Sequence, residues 1–169
     1  MIFIALGANL PSARFGPPRA TLEAALAALG DMGLQVARRS RWYESTAVPP
    51  SDQPNFVNGV AAVETELGPE DVLARLHAVE AEFGRERRVR WEARVVDLDL
   101  IAYDDLVKGR AAAQMKELVL PHPRMQERLF VLKPLAEIAP EWRHPVLGKT
   151  AAEMIADLPE GDHVEPLEG

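Results

Sequence analysis

Residues 85–103 read R-E-R-R-V-R-W-E-A-R-V-V-D-L-D-L-I-A-Y, and the second half of this stretch decides the fold. Apolar and β-branched residues fill 95–103 without a breaker, which predicts a strand. Side chains alternate faces along a strand, so Asp97 and Asp99 point one way while Val96, Leu98 and Leu100 enter a core. Two carboxylates facing together in an apolar strand repel each other and lose hydration, a cost that a cation between them relieves. Oxygen ligands suit a hard ion, and Mg²⁺ is commonly held by one or two carboxylates together with substrate phosphates. Five arginines (Arg85, Arg87, Arg88, Arg90, Arg94) and Trp91 lie just upstream. Guanidinium forks match phosphate oxygens, so the two halves together suggest chemistry on a polyphosphate. Taken singly, each has a plainer reading: an exposed strand end for the aspartates, and a solvated face with Glu86 and Glu92 as partners for the arginines.

Outward from that strand, the chain alternates strands and helices. Residues 2–6 predict a short buried strand ending at Gly7-Ala8-Asn9, where the backbone would approach a ligand closely. Pro17-Pro18 opens a helix to about Leu29, with Leu22, Ala25, Leu26 and Leu29 on one face. Residues 34–43 predict a second strand, and Glu44 to Pro54, with three prolines and no periodicity, a long loop of the kind that serves as a lid or binding loop. Phe56 to Glu66 predicts a third strand on which Phe56 and Asn58 share a face, offering a stacking surface and an amide to a flat heterocycle. Pro69 starts a second helix with Glu70 and Asp71 in its first turn, a buried stripe of Val72, Leu76, Val79 and Phe83, and Gly84 as its cap. His77 and Glu80 flank that stripe, as helix-surface residues do by default.

After the aspartate strand come a turn at Asp104-Asp105 and Gly109, a short strand over 117–120, and Pro121-His122-Pro123, which holds the histidine in extended backbone. Arg124 to Ile138 reads as helix interrupted near Pro134, and Thr150-Ala-Ala-Glu153 as a capping box opening a short helix to about Leu158. The order is β-α-β-β-α-β with helices added at the end. This predicts an α+β fold of the ferredoxin-like kind, an antiparallel sheet with helices on one face and extra C-terminal helices. One domain over 1–169 is expected, with a core of about 2–158 and a loose Pro/Gly/acid-rich tail over 159–169.

Bulk composition narrows the function. The chain has 169 residues, is 47% hydrophobic and carries a net charge of −7, so the arginine cluster is a positive island on an acidic protein. Such an island favours a small anion over a nucleic acid. The absence of cysteine removes disulfides, thiolate metal sites and thiol nucleophiles. No basic segment precedes M-I-F-I-A-L, and no apolar run is long enough to span a bilayer, so a cytoplasmic protein with no membrane partner is expected. No Walker phosphate-binding loop occurs.

Five pieces of the chain resemble, in order and spacing, the 6-hydroxymethyl-7,8-dihydropterin pyrophosphokinase family of folate biosynthesis. They are F-I-A-L-G-A-N-L at 3–10, D-Q-P-N-F-V-N at 52–58, G-R at 84–85, R-W-E-A-R-V-V-D-L-D-L at 90–100 and L-P-H-P-R-M at 120–125. The resemblance implies a ferredoxin-like enzyme, expected as a monomer, that transfers pyrophosphate from ATP to the pterin hydroxymethyl group and releases AMP. It implies two Mg²⁺ ions on Asp97 and Asp99, and Phe56 and Phe130 as an aromatic sandwich around the pterin. It further implies Asn58 and backbone near Ser45 and Val48 at the pterin edge, and Arg85, Arg94, His122 and Arg128 on phosphates. Glu80 and His77 would lie near the nucleotide, with Trp91 on a closing arginine loop. Asp97 is the candidate general base. Glu92-Ala93 stand where the family usually has Gly-Pro, and Ser45 to Val48 lack a frequent proline. Two other readings stay open: a non-catalytic module binding a pterin or small anion, and a simple kinase releasing ADP.

Overall fold

The computed structural model describes residues 1–9, 15–45, 56–84, 96–109, 118–159 and 163–167. Its sheet is built on β1 (Ile2–Ala8), paired antiparallel with β4 (Phe56–Glu64) on one side and with β5 (Asp97–Tyr103) on the other. Every residue of β1 is buried, because both of its faces are covered. β2 (Gln35–Arg39) and β3 (Tyr43–Ser45) both pair with β4, and β6 (Val164–Pro166) pairs with β3, giving the order β5-β1-β4-β3-β6 with β2 also on β4. All pairings are antiparallel. The α+β class with an antiparallel sheet is therefore as expected.

Helices α1 (Pro18–Asp31) and α2 (Pro69–Phe83) pack on one face, where Leu22, Leu29, Leu76 and Val79 meet Ile2, Ile4, Leu6, Leu98 and Leu100. Proline in the first turn of each helix costs no hydrogen bond. The C-terminal helices α3 (Leu129–Ile138) and α4 (Ala151–Ala156) cover the opposite face, where Val131, Leu132, Leu135 and Met154 meet Phe3, Ala5, Val60, Ala62 and Ile101. The sheet is thus enclosed by helices on both faces. The capping box forms as read, Thr150 accepting from the Glu153 N–H while the Glu153 carboxylate accepts from the Thr150 N–H.

Five local expectations are corrected. The second strand breaks into two at Ser40-Arg41-Trp42. Ser40 Oγ donates to the Arg41 carbonyl at 2.7 Å and accepts from the Val60 N–H at 3.0 Å, while the Trp42 ring tucks over Gly59. A local side-chain bond of this kind competes with the ladder. β1 continues through Gly7 to Ala8 instead of turning at Gly7, since β4 and β5 pair with it along that length. The helix read over 124–138 breaks at Arg128, whose backbone is extended, and runs on through Pro134; a 3-10 turn (Met125–Glu127) precedes it. Among the described residues of the strand read over 117–120, Leu120 forms only an isolated bridge with Lys108. The tail expected to be loose contributes β6, held by β3 and by Lys133 Nζ donating to the Val164 carbonyl at 2.6 Å.

Candidate active site

The face of the sheet that α3 covers is not filled along its whole length. Along β1 the side chains on this face run Phe3, Ala5, Gly7, and along β4 they run Ala62, Val60, Asn58, Phe56. Shrinking residues on β1 leave a cavity of about 580 Å³ at the end of the second core layer. Asp97 and Asp99 of β5 reach the same cavity, opposite Gly7 and Ala5 in the register of β1. Their alternation with buried Val96, Leu98 and Leu100 is the one read from the period of two. Ile101 continues the face of Asp97 and Asp99, and the irregularity in the β1–β5 pairing brings Ala102 onto the α3 face beside it.

Eight residues singled out from the sequence line this one cavity: Ser45, Phe56, Asn58, Asp97, Asp99, His122, Arg128 and Phe130. The segment before the 3-10 turn brings in His122, and the start of α3 brings in Arg128 and Phe130. His122 is anchored by its N–H donating to the Ile101 carbonyl at 2.8 Å, and its Nδ1 accepts from the Arg124 N–H at 3.2 Å. Burial lowers the His122 pKa; the Asp99 charge opposes this, and Arg128 and Arg124 reinforce it. A neutral imidazole with Nδ1 accepting carries its proton on Nε2. Arg128, at the N-cap of α3, brings Nη1 to 3.8 Å from Asp99 Oδ2 and its guanidinium carbon to 5.7 Å from the Phe130 ring centre. Arg128 thus links the carboxylate side of the cavity to the aromatic side.

The aromatic side holds a buried pair. Ser45 Oγ donates to Asn58 Oδ1 at 2.9 Å, and both residues are almost fully enclosed. Phe56 and Phe130 are each half-buried, with faces left for a ligand.

Two sequence-derived residues lie off the cavity. His77 is exposed on α2. Glu80 Oε2 accepts the Leu98 N–H at 3.0 Å. Leu98 stands between the two aspartates on β5, which pairs only with β1 among the described strands, so Glu80 ties down the open edge of the aspartate strand. Val48, Arg85, Trp91 and Arg94 lie outside the described residues, as do Arg87, Arg88 and Arg90. Sequence reading missed His163 and Val164, which line the cavity because β6 pairs with β3 beside Ser45. A lone histidine in an acidic tail carries no periodic signal that would have marked it.

Among the described residues no group of three or more His, Cys, Asp or Glu is placed to hold a metal ion. The donor set of two carboxylates nevertheless fits Mg²⁺, a hard ion whose remaining ligands are waters and substrate phosphates. No described helix is long and apolar enough to cross a membrane.

The cavity of this enclosed α+β fold joins paired carboxylates and an arginine to an aromatic–amide wall, a lining chemically suited to a small molecule with a flat ring and an anionic group. Comparison with known proteins gives that class a family. Residues 3–140 match the family described as 7,8-dihydro-6-hydroxymethylpterin-pyrophosphokinase. A Synechocystis sp. protein named 2-amino-4-hydroxy-6-hydroxymethyldihydropteridine pyrophosphokinase is 42% identical over 156 residues, covering 92% of this chain and 74% of the relative. A Pseudomonas aeruginosa protein of the same name is 41% identical over 159 residues, covering 94% of this chain and 91% of the relative. In fold, the chain is similar to a Plasmodium falciparum HPPK-DHPS crystal structure, with a TM-score of 0.69 at 14% identity. That match covers 92% of this chain but only 43% of the solved one, so the chain spans less than half of that structure. The chain belongs to the 7,8-dihydro-6-hydroxymethylpterin-pyrophosphokinase family, whose members are ATP-dependent diphosphotransferases.

Proposed function

We propose that this chain transfers the pyrophosphoryl group of ATP to the hydroxymethyl oxygen of 6-hydroxymethyl-7,8-dihydropterin, releasing AMP. The observation that carries the reading is the cavity itself, with Asp97, Asp99 and Arg128 on one wall and Phe56, Asn58 and Phe130 on the other. The pterin ring stacks between the two phenylalanines, with its edge on Asn58 and on backbone near Ser45 and Val48. The polyphosphate lies against Arg128 and His122, joined by Arg85 and Arg94, with Trp91 covering it and His77 and Glu80 on the nucleotide side.

In the reaction the hydroxymethyl oxygen bonds to the β-phosphorus, and the bond from that phosphorus to the α–β bridging oxygen breaks. AMP departs with the electron pair, and the hydroxyl proton passes to Asp97. Transfer of this kind depends on alignment and charge neutralisation more than on covalent help from the protein. Asp97 and Asp99 would hold two Mg²⁺ ions, which when bound neutralise phosphate charge and polarise the reacting oxygens. Neutral His122, with its proton on Nε2, donates to a phosphate oxygen without adding a full charge. The strand order β5-β1-β4-β2 supports a ferredoxin-like split β-α-β reading, and the absence of cysteine supports a reducing, cytoplasmic setting. The chain is proposed to act as a monomer.

Mg²⁺ dependence tests the clamp. Asp97→Asn and Asp99→Asn should each lower turnover by at least about a hundredfold and raise the Mg²⁺ needed for half-activity. Full turnover in Asp97→Asn removes it as the base. Pterin binding without any product in the wild type would favour the non-catalytic module.

A further inference from the structure

The end of the cavity farthest from the aspartates is built by the last strand of the sheet, β6. We propose that His163 is a further ring-contacting residue of this site and that Lys133 positions it by fastening β6 to α3. This rests on the functional reading above and adds the group that closes the ring side of the cavity.

Pairing across the sheet gives the placement. Val164 stands opposite Ser45, and Ser45 opposite Phe56, so the three form one row on neighbouring strands. All three line the cavity, and His163 lines it just before Val164. Neighbouring strands lie about 4.8 Å apart, so in the order β5-β1-β4-β3-β6 the last strand stands roughly 19 Å from the first. β4, with Phe56 and Asn58, lies midway. Asp97, Asp99, His122 and Arg128 gather at the aspartate end of the lining, and among the described residues His163 is the titratable group at the other end. A side chain there meets the part of a ligand remote from the phosphates. Val164 is buried while His163 is exposed, so His163 has surface left to give to a ring. Imidazole has an apolar body and a polar tip, and can cover part of a flat ring while its nitrogens stay in water.

Lys133 supplies the fastening. A three-residue strand at the margin of a sheet is held weakly by its ladder alone. β6 has two further ties: the Leu167 N–H donates to the Trp42 carbonyl at 2.8 Å, and Lys133 Nζ donates to the Val164 carbonyl at 2.6 Å. Its cationic donor makes the second the stronger kind. Lys133 follows Phe130 by three residues on α3, so the two are neighbours on one helix face. One helix therefore carries both the Phe130 wall and the tie that holds the end wall. Lys133 does not itself line the cavity, so it acts through Val164 and His163 as a positioning residue.

The experiment measures by titration calorimetry, with Mg²⁺ present, the dissociation constant of α,β-methylene ATP and then that of 6-hydroxymethylpterin on the nucleotide-loaded protein. His163→Ala should raise the pterin Kd about fivefold, while His163→Phe, which keeps a flat ring, should change it by less than about twofold. Lys133→Met should raise it about threefold, and Lys133→Arg, which keeps a cationic donor, should stay near the wild type. Because Lys133 acts through β6, the variant carrying both Lys133→Met and His163→Ala should fall well short of the product of about fifteenfold. The Kd of α,β-methylene ATP should stay within about twofold of the wild type in every variant. Thermal unfolding of each variant separates misfolding from a lost contact. An unchanged pterin Kd in His163→Ala, full multiplication in the double variant, or equal weakening of the nucleotide overturns the proposal and leaves the functional reading standing. A wild type that binds the nucleotide but no pterin overturns both.

Discussion

Glu80 offers a direct way to ask whether the aspartate pair depends on its backbone. It does not line the cavity, yet its carboxylate accepts the N–H of Leu98, the residue between Asp97 and Asp99. Leu98 itself is 2% exposed and anchored in the core beneath α2. Glu80→Ala removes a charge-assisted bond worth roughly 1.5–3 kcal/mol and leaves a strand N–H without that partner. Alanine's helix propensity returns a few tenths of a kcal/mol, so a net loss of about 2 kcal/mol is expected. For a chain of this size that corresponds to a fall in Tm of about 4–8 °C. A strand edge released between the two carboxylates proposed to hold Mg²⁺ moves both, and misplacement by about 1 Å costs on the order of a hundredfold in rate. Turnover should therefore drop about 10- to 100-fold, with a higher Mg²⁺ requirement. Glu80→Gln keeps an acceptor oxygen and should recover more than half of both losses. Circular-dichroism melts and Mg²⁺ titrations of turnover measure the two effects. Wild-type Tm and activity in Glu80→Ala would refute the positioning role. A Gln variant with restored Tm but the Ala variant's turnover would show that Glu80 acts by its charge on the nucleotide.

Other perturbations test the scaffold around the cavity. Glu23 is held to a pKa of about 2, chiefly by its paired bonds to Arg39 and also by the Trp42 indole N–H at 2.8 Å. Taken at face value that shift equals about 3 kcal/mol. Glu23 and Arg39 are nearly half exposed, however, so about 1 kcal/mol survives screening. The folded pKa lies below the ordinary 4.5, so this stability is present above about pH 4.5 and is lost as pH falls through about 2. Glu23→Gln should cost about 1 kcal/mol in urea unfolding at pH 7, a cost that fades as pH falls through about 2. Gly59→Ala drives a methyl to 2.6 Å from the Trp42 ring, where both residues are buried, and should cost about 2–3 kcal/mol; an unchanged melt would mean the ring moves freely. Phe130→Ala should weaken pterin binding about tenfold or more, read by ligand fluorescence, while leaving ATP affinity near the wild-type value. Ending the chain after residue 162 removes His163 and Val164 from the cavity wall and should likewise raise the pterin Kd, with the melt lowered by loss of β6.

What is legible in the sequence follows its periodicities. D-L-D-L at 97–100 alternates cleanly, so the shared facing of Asp97 and Asp99 can be read from the residues alone, as can the buried stripes of α1 and α2. Phe56 and Asn58 share a face for the same reason. Illegible features depend on partners distant in sequence. V-E-P at 164–166 has no strand signal of its own and becomes β6 only because β3 offers it an edge beside Ser45. The break at Ser40-Arg41-Trp42 depends on Val60 and Gly59 across the sheet, and the break at Arg128 outranks Pro134. Covering of the second sheet face by α3 and α4 follows from β1 being buried on both sides, which a short apolar run hints at but cannot assign. Glu80 reads as an ordinary flank of a helix stripe; its bond to Leu98 is a tertiary fact.

The proposed chemistry is tested most directly by its nucleotide product. Purified protein is incubated with ATP, Mg²⁺ and 6-hydroxymethyl-7,8-dihydropterin, and AMP is separated from ADP by chromatography. Pyrophosphoryl transfer predicts AMP in an amount equal to the pterin consumed, and none when pterin is omitted. ADP in its place would mean attack at the γ-phosphorus and would contradict the reading of this cavity as the site of pyrophosphate transfer.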